Sequence, residues 1–187
     1  KNLKTGKTYS ESYDKLALSP GAEPLRPRIE GVDNDKIFTL RNVPDTDVIK
    51  NYVDQQKPKS AIVVGGGFIG LEMAENFHRQ GIKVTLVEMA DQVMAPLDFS
   101  MAQMVHEELV NKGVDLILSD GVARFGDDNG RVEVTLNSGR SLTVDMVLLS
   151  IGVRPETKLA VEAGLKIGST HGIAVDEFMQ TSDENVY

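Results

Sequence analysis

Apolar and polar positions along this chain alternate between two patterns, short apolar runs and longer stretches at helical spacing. Residues 60–64 form a short apolar strand. They lead into a predicted helix over 68–80 whose Leu71, Ala74 and Phe77 fall on one face, with Gly81 where a helix C-cap belongs. A second strand follows over 83–88. The next predicted helix, 98–112, carries Met101, Met104, Val105 and Leu109 at helical spacing, and this stripe is read as core. Gly113 stops it, and 114–118 is a third strand. Upstream, Pro44, Asp45 and Thr46 open an amphipathic helix over 47–56, with Val48, Ile49, Tyr52 and Val53 apolar, which Pro58 ends.

Strand, helix, strand, helix, strand is the mononucleotide-binding half of a Rossmann-like α/β fold with a parallel sheet and right-handed crossovers. The period then becomes strand-like. Residues 122–125, 131–136 and 141–144 alternate and are split by the turns Asp127–Asp128–Asn129–Gly130 and Asn137–Ser138–Gly139, predicting a three-stranded antiparallel meander inserted in the fold. The acidic turn lacks the spaced ligands and terminal Glu of a calcium loop, so it reads as a hairpin turn. An apolar strand over 146–150 returns to the parallel sheet. It delivers Ile151, Gly152, Val153, Arg154 and Pro155 at its C-terminal end, where open α/β sheets bind ligands. Residues 1–42 are turn-rich, with Pro20, Pro24 and Pro27 close together, and read as irregular chain with short strands such as 15–17.

The most informative chemistry sits at the end of the first apolar strand. Gly65, Gly66, Gly67, Phe68, Ile69 and Gly70 contain G-x-G-x-x-G, between a strand and a helix. In that setting Gly65 permits the tight turn, Gly67 lets backbone approach phosphates, and Gly70 lets helix and strand pack closely. The helix N-terminus offers unpaired N–H groups and the positive end of its dipole to an anion. Glu88 ends the second strand 18 positions after Gly70 (88 − 70 = 18). A carboxylate there suits the ribose hydroxyls of the adenosine and repels a 2′-phosphate, so NADH is expected over NADPH. The plain structural reading of Glu88 is a solvated strand end.

The chain has 187 residues, 41% hydrophobic and 26% charged, an ordinary soluble composition. Its formal charge of −8 argues against nucleic acid and anionic membranes as partners, and no apolar run is long enough to span a bilayer. With no cysteine, thiol catalysis, disulfides and zinc–thiolate sites are excluded within these residues. His78, His106 and His171 lack metal-ligand spacing, and each is read as a surface residue.

Taken together, the glycine run with Leu71–Glu72, the acid-ended second strand, the meander and Ile151–Gly152–Val153–Arg154–Pro155–Glu156–Thr157 resemble the central part of the flavoprotein pyridine nucleotide-disulfide oxidoreductases. The nearest subgroup is that of coenzyme A-disulfide reductase, NADH oxidase and NADH-dependent persulfide reductase. The stretch from Tyr13 to Pro24 resembles the family segment where the FAD domain meets its nucleotide. Residues 38–42 resemble the lead-in to the NAD domain, and the tail from Met179 to Tyr187 resembles the strand before the family's G-D motif.

The resemblance implies a partial FAD-domain segment over 1–44, an NAD-binding domain over 45–155 and a partial FAD-domain return segment over 156–187. Gly65, Gly66, Gly67, Phe68, Ile69, Gly70, Glu72, Glu88 and Gly152 would bind NAD(H), and Ser19, Pro20, Gly21 and Arg41 would touch FAD. Phe68 resembles an aromatic gate over the nicotinamide or is a core residue at a helix start. Glu72 resembles the acid beside the nicotinamide or is an exposed helix acid.

The family's FAD-binding G-x-G-x-x-G, redox cysteine and closing G-D are not found in these residues. The sequence therefore reads as an internal piece with no catalytic residue or metal site of its own. The whole protein is expected to be a cytoplasmic homodimer, joined through a domain not present here, that passes hydride from NADH to FAD and on to a sulfur-containing small molecule. Oxygen or peroxide as acceptor, a non-catalytic NADH-sensing module, and a flavin-free dehydrogenase are the alternatives. The last is disfavoured because all four tyrosines lie outside the nucleotide core.

Overall fold

A computed structural model describes residues 1–187. In chain order the elements are β1 (Ala22–Pro24), β2 (Ile37–Thr39), α1 (Val43–Gln56), β3 (Ser60–Val64), α2 (Phe68–Arg79), β4 (Lys83–Val87) and α3 (Phe99–Asn111). They continue with β5 (Asp115–Ile117), β6 (Val122–Asp128), β7 (Arg131–Leu136), β8 (Ser141–Val144), β9 (Met146–Leu149), β10 (Val153–Pro155) and α4 (Lys158–Glu162). The chain forms two units, residues 24–153 and residues 1–23 with 154–187. No helix is long and apolar enough to cross a membrane.

In the larger unit five strands make one parallel sheet in the order β2-β9-β3-β4-β5. Its strands read as continuous apolar runs because both faces are buried. Alternate residues go to opposite sides. Ala61, Val63, Met146 and Leu148 join Ile49 of α1 and Ala74 and Phe77 of α2 in one core. Ile62, Val64, Val147 and Leu149 join Phe125, Val132, Val134 and Leu136 in the other. Helices thus cover one face and the antiparallel sheet β6-β7-β8 covers the second, a three-layer arrangement. The β6–β7 turn has φ of 53° at Asn129 and 79° at Gly130, as a two-residue type I′ hairpin requires.

Asp145, between β8 and β9, ties these layers together. Its Oδ2 accepts from the N–H groups of Lys59 (2.7 Å) and Ser60 (2.9 Å), and its Oδ1 accepts from Arg131 Nε (2.8 Å). Burial alone would raise its pKa. The Lys59 N–H, the Arg131 guanidinium and the Ser60 groups outweigh that and hold it below the usual carboxylate range.

Several expectations are corrected. Helix α1 starts at Val43, not at 47, because Asn42 caps it. Asn42 Oδ1 accepts from Asp45 N–H and Asp45 Oδ2 accepts from Asn42 N–H, each at 3.1 Å, a reciprocal capping box. Val48 faces outward, and Ile49, Tyr52 and Val53 form the buried side. Helix α3 is rotated from the expected phase. Met101 and Met104 are 53% and 64% exposed, while Ala102 and His106 are buried and Val105 and Leu109 pack on the core. His106 is therefore not a surface residue.

The smaller unit contains α4 and two isolated bridges, Leu16 with Val186 and Ile167 with Ile173; the expected strand at 15–17 is reduced to the first of these. Lys15 Nζ donates to the Glu184 carbonyl at 2.8 Å and lies 5.4 Å from the centre of the Tyr187 ring. Glu23 and Arg154 form an ion pair at 2.9 Å.

Candidate functional site

The C-terminal edge of the parallel sheet carries a cleft of about 470 Å³. Its floor is the glycine run at the end of β3. Each glycine there answers to a different constraint. Gly65 has φ of 106°, and a Cβ on it would stand 2.4 Å from the Ser150 carbonyl oxygen. A Cβ on Gly66 would meet Val93 Cγ1 at 2.7 Å, and one on Gly70 would meet the Gly65 carbonyl oxygen at 1.9 Å. At Gly67 a Cβ would meet no protein atom within 4 Å. The packing of the chain therefore does not demand glycine at 67, and the backbone there is open to the cleft.

Gly67 is also the N-cap of α2 and supplies no side-chain cap. The first N–H groups of that helix, which have no partner inside it, face the same end as the positive pole of its dipole. Such a helix end can hold an anion through backbone rather than cationic side chains. The cleft is lined by no Lys or Arg, and its charged lining residues are Glu88 and Asp120.

Glu88 sits just past β4, half-buried. Its Oε2 accepts from Gly66 N–H at 2.6 Å and its Oε1 from Ala90 N–H at 2.8 Å. The carboxylate is thus already a brace for the glycine turn. Asp120 accepts from the Gly121 and Ser138 N–H groups at 2.9 and 3.2 Å. A hydrogen bond with the Ser138 side chain, followed by those from backbone N–H groups, lowers its pKa and keeps it ionised.

Of the expected nucleotide residues, Gly65, Gly66, Gly67, Phe68, Glu88 and Gly152 line this one cleft. Phe68 is 66% exposed, so it is not a core residue. Ile69 and Glu72 do not line the cleft, and Gly70 lies behind it against Gly65. Among the expected flavin contacts, Ser19, Pro20 and Gly21 belong to the smaller unit and Arg41 to the larger. The Gly21 carbonyl accepts from Glu156 N–H at 3.0 Å, and Arg41 N–H donates to Asp45 at 2.8 Å ahead of α1.

Sequence reasoning missed several lining residues: Pro27 and Ile29 before β2, Gln92 and Met94 in the loop after β4, and Phe125 of β6. They come from segments far apart in the chain, and only the position of the chain's layers brings them together. Ser150 was also passed over. Its hydroxyl donates to the Val64 and Gly65 carbonyls at 2.9 and 3.0 Å, locking the strand end under the turn.

Known proteins share this fold. The chain is 41% identical over 185 residues to the NADH oxidase of Methanocaldococcus jannaschii, covering 98% of the chain and 41% of that relative. It superposes on reduced Bacillus anthracis CoADR-RHD with a TM-score of 0.93 and 52% identity, over 100% of this chain and 33% of that one. It also matches the water-forming NADH oxidase of Lactobacillus brevis bound to NADH, at 28% identity and a TM-score of 0.85, over 100% of this chain and 41% of that one. An engineered form of that oxidase uses NADPH and was solved with NADPH bound. The chain thus spans less than half the length of these relatives. The model of the pyridine nucleotide-disulphide oxidoreductases matches residues 1–187 throughout, and the chain belongs to that family.

Proposed function

We propose that this chain is the NADH-binding portion of a flavoprotein oxidoreductase that takes hydride from NADH onto FAD and passes electrons to a disulfide or persulfide. The observation that carries the nucleotide part is Gly67, a glycine that no protein atom requires, in the lining of a cleft where a helix N-terminus meets a strand end. The residues suit a dinucleotide. The glycine turn and the α2 amides would hold the pyrophosphate, and Glu88 would accept from the ribose hydroxyls. Phe68, the first residue of α2, and Gly152, just past β9, would flank the nicotinamide. When bound, the nicotinamide supplies the hydride; the chain binds, orients and shields it.

Two negative side chains and no positive one in the lining disfavour a 2′-phosphate, which supports NADH over NADPH. The engineered relative points the same way. Its substitutions exchange a glycine for alanine and, 18 positions later, an aspartate for alanine, the spacing of Gly70 and Glu88 here. Ile69, Glu72 and Gly70 support the site from α2, and Ser19, Pro20, Gly21 and Arg41 are proposed contacts of FAD in the longer protein. A cytoplasmic homodimer, joined outside these residues, completes the proposal.

The M. jannaschii and L. brevis relatives favour a second reading, in which the same nucleotide half serves an oxidase with oxygen as acceptor. Titration calorimetry on the chain tests the shared part. NADH is expected to bind in the millimolar range or tighter and NADPH about tenfold more weakly, with no reductase activity from these residues alone. No heat at millimolar NADH would overturn the reading.

A further inference from the structure

His106 is a buried imidazole on α3, 8% exposed, that does not line the cleft. Its Nε2 accepts from the backbone N–H of Val93 at 3.1 Å, and the ring meets Phe99 edge-on at 6.5 Å. To accept at Nε2 the imidazole must be neutral with its proton on Nδ1.

Val93 leads directly to the glycine turn. Its side chain is fully buried, and its Cγ1 lies 2.7 Å from where a Cβ on Gly66 would stand. The next residue, Met94, donates its N–H to the Gly66 carbonyl at 2.8 Å. It does so with φ of 53°, a left-handed conformation that a residue with a long side chain seldom adopts. Glu88 holds the other side of the same residue through Gly66 N–H. Gly66 is therefore gripped at its N–H, its carbonyl and its Cα, and two of those three grips belong to residues 93 and 94.

We propose that His106 is a positioning residue for the cleft: by fixing Val93 N–H it seats Val93 beneath Gly66, aims the strained Met94 N–H at the Gly66 carbonyl, and so sets the glycine turn in the shape that receives a pyrophosphate. This rests on the reading of the cleft as a dinucleotide site. His106 touches no ligand; it acts through residues 93 and 94.

The test compares the unaltered chain with His106→Gln, whose side-chain oxygen reaches the place of Nε2, and His106→Leu, which fills the space without an acceptor. Amide hydrogen exchange is read without nucleotide at Val93, Met94 and Gly66, with β9 as the internal reference, and NADH is then titrated by calorimetry. His106→Leu is expected to speed exchange at those amides about tenfold and to weaken NADH about tenfold, and His106→Gln to keep both within about threefold of the unaltered chain. Long-range nitrogen–proton NMR on the unaltered chain should show the Nδ1–H tautomer. Unchanged exchange in His106→Leu, a glutamine variant no better than leucine, or a proton on Nε2 overturns the proposal. If leucine also strips protection from β9, the tautomer and the glutamine variant decide. An unaltered chain that binds no NADH while showing the expected exchange pattern would refute the nucleotide reading and support the anchoring of the loop.

Discussion

Replacing Glu88 tests both the local structure and the ligand. The carboxylate accepts two backbone N–H groups, from Gly66 at 2.6 Å and Ala90 at 2.8 Å. Hydrogen bonds to a charged group contribute about 1.5–3 kcal/mol each. Glu88 is half-buried, so water recovers part of the loss, and the low end applies. Glu88→Ala should then cost about 3 kcal/mol of folding stability, and Glu88→Gln, whose single carbonyl oxygen serves one N–H, about 1.5 kcal/mol. Urea unfolding followed by circular dichroism reads both values. A carboxylate has about four acceptor positions, so ribose hydroxyls can be bound without releasing the turn. Glu88→Ala should weaken NADH by tenfold or more and narrow the preference over NADPH, since a repelling charge is gone. An alanine variant that loses under about 0.5 kcal/mol would refute the bracing role. One that unfolds earlier yet binds NADH unchanged, measured well below its transition, would refute the ribose role.

Two glycines of the turn should separate stability from binding. Gly67→Ala should fold with a loss below about 1 kcal/mol but lose NADH affinity, whereas Gly70→Ala, whose Cβ would stand 1.9 Å from the Gly65 carbonyl oxygen, should lose about 1–3 kcal/mol in urea unfolding. Asp145→Asn removes a charged acceptor from Lys59, Ser60 and Arg131 and should cost about 2–3 kcal/mol near neutral pH. Because the folded pKa of Asp145 is lowered, its stabilisation is complete above the unfolded carboxyl pKa and is lost as pH falls through the folded value; thermal unfolding from neutral pH into acid should show a shallower loss in the variant. Phe125→Ala, which empties a fully buried site between the meander and the sheet, should cost about 3–5 kcal/mol by chemical denaturation.

Sequence pattern carried the parallel strands, the glycine turn and the meander because each is specified locally. The runs at β3, β4 and β9 are short and bounded by turn residues, and Asn129–Gly130 leaves little but a two-residue hairpin. Helix α3 misled because two stripes compete on it. Val105 and Leu109 belong to both; Met101 and Met104 extend one of them, and the buried one is completed instead by Ala102 and His106. The capping box at Asn42 was legible in principle, yet Pro44 drew the helix start inward. The loop after β4 was not legible. Its left-handed Met94 and the His106 contact exist only once α3, β4 and β3 are assembled, and no local preference encodes them. Within the cleft, Glu88 was found by its spacing, while its hold on Gly66 N–H depends on the distance between two strand ends.

The place of β9 has a consequence for how the molecule is made. Val147 pairs with both Ile37 and Ile62, partners 110 and 85 positions earlier (147 − 37 = 110; 147 − 62 = 85), and the strand lies between β2 and β3. A ribosome delivers this interior strand after every other strand of the sheet. Until it emerges, β3 presents an unpaired apolar edge, and β2 has no neighbour at all. Closure of such distant pairs is slow. During synthesis the nascent chain therefore passes through an interval in which the βαβ half with its glycine turn is complete but open on one side, the state in which a chaperone would find it and in which neighbouring nascent chains could pair edge to edge.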